Sequence, residues 1–170
     1  MISLVERGES SPTAAVLDRL AAGLGVTIAS LFADEARPDA SPVARRADQP
    51  TWRDPATGYV RRNLSPPAWA SPLELVEVVL PAGARVAYDS ARPAGTIGVS
   101  QQVWLLDGRV ALTVGDVTHD LAVGDCLAMR LDRPVAFHNP ADQPARYVVA
   151  LAADPPSPGH TRTPAGGRAP

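Results

Sequence analysis

From about residue 51 onward, apolar and polar residues alternate with a period of two, whereas before residue 33 the apolar positions recur every three or four residues. The alternating stretches are 73–80, 85–88, 98–106, 109–114, 117–121, 126–130, 134–138 and 146–152, and each predicts a strand. Between them stand Pro81-Ala82-Gly83, Asp107-Gly108, Gly115-Asp116, Gly124-Asp125 and Asn139-Pro140, the residue types that compact turns require. Short strands at this regular spacing favour an antiparallel sandwich or barrel, so the expected fold class is mainly β.

The front of the chain has helical spacing instead. Residues 1–7 predict a helix with Ile2, Leu4 and Val5 on its apolar face and Gly8 as a left-handed cap. After the turn Ser10-Ser11-Pro12-Thr13, the residues Val16, Leu17, Leu20, Ala21 and Leu24 share one face of a second helix, capped by Ser11 or Thr13 and ended by Gly25. Thr27 caps a short third helix whose Ile28, Leu31 and Phe32 turn back onto the second. Residues 34–50 lose all apolar period and read as a linker stiffened by Pro38, Pro42 and Pro50. Residues 154–170 are rich in proline and glycine and predict a disordered tail. The expected organisation is a helical unit over 1–33, the linker 34–50, a β unit over 51–153 with a lead-in at 51–69 and the barrel proper at 70–153, and the tail 154–170.

Composition narrows the function classes. The chain has 170 residues, 45% of them hydrophobic and 20% charged. It has no apolar run long enough to span a bilayer. Charges interrupt Met1 to Arg7 before a signal-peptide core forms, so a cytoplasmic location is expected. The lone Cys126 excludes an internal disulfide and a cysteine-only zinc site, and reads as a small buried hydrophobe. The net charge of −2 decides nothing about nucleic acid. All 16 basic residues are arginine, and residues 1–37 hold three arginines against five acids, so the helical part alone lacks the basic face of a free-standing DNA binder.

Two resemblances sharpen the picture. Ile2-Ser3, Glu6-Arg7-Gly8, Pro12-Thr13, then Leu17, Leu20-Ala21, Leu24-Gly25-Val26 and Leu31-Phe32 resemble the phage-repressor type of helix-turn-helix, the XRE family. That resemblance makes residues 1–7 the second half of a recognition helix and implies a transcription regulator truncated at its N-terminus. Base reading by such a helix comes mainly from its N-terminal residues. The residues left to meet DNA would be Ser3 at a groove, and Arg7, Ser10 and Ser11 near phosphates. Truncation would also leave Ile2, Val5, Leu17, Leu20 and Leu24 as an open apolar patch.

Further along, Pro81-Ala82-Gly83, Leu105-Leu106-Asp107-Gly108-Arg109, Leu112-Thr113-Val114-Gly115, Leu121, Gly124-Asp125 and Asn139-Pro140 resemble a cupin, a small jelly-roll barrel. Metal-dependent cupins carry two histidines, a glutamate and a third histidine. The matching positions here are 94–97, which hold no histidine, then Gln101 and Val135. No metal, cofactor or catalytic residue is therefore expected, and strand parity turns His138 away from the face that Val135 and Phe137 share. Gln101, Val103, Leu105, Val135 and Phe137 would line the interior, either around an effector pocket or as a filled core. Trp104 lies on the opposite parity, facing the lead-in or a dimer interface, and Arg61-Arg62 read as solvated in preference to an anion site. The combined expectation is a homodimeric regulator that binds an operator, if its N-terminus is complete, and senses a small organic effector. The alternative is a metal-free cupin that binds a small molecule without DNA. A cupin enzyme is disfavoured, because no acid–base pair or nucleophile–base arrangement is visible.

Overall fold

A computed structural model describes residues 11–24, 26–28, 30–32, 37–88 and 98–153. The expected helix at 1–7, the Gly25 stop, the 94–97 window and the tail lie outside them. Ten strands form two antiparallel sheets. The strands are β1 (Thr51–Arg53), β2 (Val60–Asn63), β3 (Leu73–Leu80), β4 (Arg85–Tyr88), β5 (Val99–Asp107), β6 (Val110–Val114), β7 (Val117–Leu121), β8 (Cys126–Arg130), β9 (Val135–His138) and β10 (Ala145–Ala153). One sheet has the order β1-β2-β3-β10-β5-β8 and the other β4-β9-β6-β7.

The alternation in the sequence becomes the inside and outside of this sandwich. Along β5, Val99, Gln101, Val103 and Leu105 are buried while Gln102 and Trp104 are exposed. Val76, Leu80, Val103, Leu105 and Leu112 have no exposed surface and meet in the core with Val110 and Ala145. Burying each such side chain stabilises the fold by about 1.5–3 kcal/mol. Gly108, at the β5–β6 turn, has φ +80°, and a Cβ there would come within 2.9 Å of the Ala145 Cα, so this turn needs glycine twice over. Asn139 is fully buried; its Nδ2 donates to the carbonyls of Leu80, Pro81 and Gln143, and its Oδ1 accepts from the Ala141 amide. It ties the β3–β4 and β9–β10 connections together at one end of the barrel.

The lead-in departs from expectation. Residues 51–69 contribute two paired strands, β1 and β2, at the edge of the larger sheet, where Trp52 is opposite Arg61 and Arg61 is opposite Val78. Their sequences, Thr-Trp-Arg and Val-Arg-Arg-Asn, carry too little alternation to be read as strands. Two single-residue readings also fail. Cys126 is exposed rather than buried, because β8 is an edge strand and the face that Cys126 shares with Ala128 and Arg130 points away from the core. Arg61 is buried rather than solvated.

The helical part is docked onto the barrel. Helix α1 (Ala14–Leu24) buries Ala14, Leu17 and Ala21, spaced three and four apart, and packs against β4. Of the described members of the expected open patch, Leu17 is buried, Leu20 half-buried and Leu24 exposed, while Ile2 and Val5 lie outside the described residues. Thr13 occupies the cap position, its carbonyl accepting from the amides of Val16 and Leu17. The unpaired Ala14 amide is satisfied from across the molecule, by Asp54 Oδ1 at 3.1 Å. Thr27 Oγ1 accepts from the Ser30 amide at 2.9 Å, the capping expected for the next turn, and a 3-10 turn follows at Ser30–Phe32. Both hydroxyls, Thr27 and Ser30, donate to the carboxylate of Glu74 on β3.

Candidate functional site

Where α1 meets the barrel, a cavity of about 60 Å³ remains. Its barrel wall comes from Arg61, Val78, Tyr88, Gln101, Val135, Phe137 and Tyr147, with Val149 and Leu151 beyond. Its other wall comes from Asp18, Ala21 and Ala22 of α1 and from Thr27 and Ile28. The five interior residues expected from the sequence therefore divide. Gln101, Val135 and Phe137 line the cavity, whereas Val103 and Leu105 are fully buried in the filled core beneath it. A cavity and a packed core thus lie in the same barrel.

The aromatic groups form a row. Phe137 stacks on Tyr147 with centroids 5.5 Å apart and planes 4° apart, and meets the edge of Tyr88 at 6.1 Å. Tyr88 shares a hydroxyl–hydroxyl hydrogen bond of 2.8 Å with Tyr59, whose ring is edge-on to Trp52. Burial raises the Tyr59 phenol above its ordinary range, with Arg61 opposing the rise, and burial lifts Tyr88 and Tyr147 well above theirs. All three hydroxyls therefore remain protonated at neutral pH and can donate.

Arg61 is the group that sequence reasoning missed. It is 8% exposed, and its Nε has no hydrogen-bond partner. Its neighbour Arg62 behaves otherwise, pairing with Glu77 at 2.7 Å on the outer face. A signal was present: Tyr59 and Arg61 are two apart on an extended segment, so an inward Tyr59 brings Arg61 inward with it.

The remaining expected positions are placed as follows. Ser11 is exposed before α1 and its hydroxyl accepts from Trp52 Nε1 at 3.2 Å; Ser3, Arg7 and Ser10 lie outside the described residues. Trp104 is 50% exposed, as its parity required. Among the described residues no group of three or more histidine, cysteine, aspartate or glutamate side chains is arranged to hold a metal ion. No described helix is long and apolar enough to cross a membrane.

No family model matches the chain. No curated protein matches it either. Solved structures do. An HTH_3 family transcriptional regulator from Vibrio cholerae is 23% identical over 91% of this chain and 80% of its own, with a TM-score of 0.67. The cupin domain of an XRE family transcriptional regulator from Enterobacter cloacae is 18% identical over 57% of this chain and 98% of its own, with a TM-score of 0.50. A cupin-superfamily sugar phosphate isomerase from Silicibacter pomeroyi is 19% identical over 67% of this chain and 77% of its own, also at 0.50. Regulators and an enzyme thus both stand among the neighbours, and the likeness is one of fold. The chain is a cupin jelly roll with a helical segment docked before it, a fold it shares with solved transcription regulators of the helix-turn-helix type.

Proposed function

We propose that the chain is a transcription regulator whose barrel binds a small-molecule effector and whose α1 carries the signal towards DNA. One observation supports this above the rest: the cavity is walled jointly by the barrel and by α1, the helix that follows the recognition helix in the motif the sequence resembles. A ligand seated there touches both parts at once. Filling the cavity changes the free energy of docking α1, and any DNA contact made through that segment is coupled to the ligand reciprocally. The Vibrio cholerae regulator, similar over 91% of this chain, supports the same reading.

A non-catalytic role fits the lining. The cavity presents a guanidinium, an amide, phenols and one carboxylate, Asp18, but no histidine or cysteine. A second reading is favoured by the tethering of the helical segment to the barrel, α1 through Asp54 and the following Thr27 and Ser30 through Glu74: that segment would act only as the cover of a ligand-binding cupin. The test is DNA selection from a random pool with the full chain, followed by fluorescence anisotropy with and without a metabolite panel. A selected sequence whose affinity shifts with ligand supports the regulator. Ligand binding without any selected DNA supports the cover.

A further inference from the structure

The cavity collects hydrogen-bond donors whose acceptor is missing. Arg61 is buried, lines the cavity, and its Nε is unpaired. A buried N–H of a guanidinium without an acceptor is costly, and a buried positive charge without a counter-charge more so. The nearby acids are engaged elsewhere. Asp54 accepts from the amides of Ala14 and Thr57 and from the Thr57 hydroxyl. Glu77 faces Arg62 at 2.7 Å and Arg146 at 3.8 Å. Asp18, on the α1 wall, has an interaction of its own. Among the described residues no carboxylate forms an ion pair with Arg61. The Gln101 amide and the Tyr147 hydroxyl line the same cavity and make no hydrogen bond to a described side chain, and Tyr147 is held neutral by its burial.

We propose that Arg61 anchors the carboxylate of a small organic monoanion, with Tyr147 and Gln101 as further donors. This rests on the reading above that the cavity takes an effector. Three features set the class. The guanidinium is a planar fork that matches a carboxylate. One cation, facing a wall that also holds Asp18, balances one negative charge and not two, which disfavours a phosphate dianion. The volume of about 60 Å³ replaces only about four to six waters, at roughly 10–15 Å³ each, so the body is a short one. Val149, Leu151 and Ile28 give that body an apolar seat, and the end facing Asp18 must be neutral or a donor.

Isothermal titration calorimetry of the full chain tests this with acetate, propionate and lactate, each against its neutral amide, and with inorganic phosphate, all at matched ionic strength. At least one carboxylate is expected to bind ~10-fold or more tightly than its amide and than phosphate. Arg61→Gln should weaken that carboxylate by ~10- to 100-fold, and Tyr147→Phe by a smaller factor of ~3 to 10. Should Arg61→Gln fail to fold, Arg61→Lys, which keeps the charge and loses the fork, is expected to weaken binding while Tyr147→Phe stays informative. Equal binding of acid and amide, preference for phosphate, or indifference to Arg61 overturns the proposal. The two readings fail separately. Neutral metabolites that shift the melting temperature while every carboxylate is inert leave the effector cavity standing and remove the anion; no shift from any metabolite removes both.

Discussion

Two depths of the same barrel behave differently. On β5, Val103 and Leu105 have no exposed surface and close the core, whereas Gln101, one step along the same face, opens onto the cavity under α1. On β3 Val76, Val78 and Leu80 are all buried, yet Arg61, opposite Val78 on β2, brings a charge to the cavity wall. The lower layer, the packed core, is apolar and filled. The upper layer, the cavity wall, is donor-rich, partly empty and roofed by a helix from another part of the chain. Side-chain parity decides what faces inward; position along the strand does not alone decide whether inward means core or site, since Leu105 of the core is in register with Tyr147 of the cavity wall.

The largest effect expected from breaking this comparison is at the lower layer. Leu105→Ala should cost about 2–5 kcal/mol of stability by chemical denaturation, since it removes buried contacts and leaves a cavity among packed neighbours. A loss below about 1 kcal/mol would mean the lower layer is not the rigid floor described. Asp54→Ala comes next. It strips the acceptor from the Ala14 and Thr57 amides and should cost about 1–3 kcal/mol, with faster hydrogen exchange at the start of α1. Unchanged exchange there would show that α1 docks without this cap. Arg61→Met should have the opposite sign. Replacing a buried cation that has no carboxylate partner and an unpartnered Nε by an apolar chain of similar reach should leave the ligand-free protein as stable as before or more stable by about 1 kcal/mol, read as a rise in melting temperature. A clear destabilisation would mean that Arg61 serves the fold and not a ligand. Tyr147→Phe, which keeps the stack on Phe137, is expected to change stability by less than about 1 kcal/mol while lowering ligand affinity.

The lower layer was legible in the sequence and the upper one only in part. Strands β3 to β10 fall within a residue or so of the alternating stretches, because each has one face on the core and one in water, and burial writes that period directly into residue choice. The Asp107-Gly108 turn was legible for a similar reason, since its positive φ and the closeness of Ala145 leave room only for glycine. Strands β1 and β2 lack the signal. They are short, and an inward arginine in Val60–Asn63 breaks the apolar rule that makes strands visible. Asp54 gives no local sign of capping a helix 40 residues earlier, because the sequence between them does not carry the docking geometry. Gln101, Val135 and Phe137 were found as inward residues of the motif that resembles a cupin. Their partners on α1 were not, because a helix read in isolation shows an apolar face but not what covers it.

The central claim is that α1 and the barrel enclose one ligand between them. Hydrogen exchange with mass spectrometry on the full chain, free and saturated with the tightest carboxylate, tests it most directly. The account predicts slower exchange in two places together: the peptide covering Ala14–Leu24, and the strands that carry Arg61 and Tyr147. Protection confined to the barrel, with α1 unchanged at full occupancy, would contradict it.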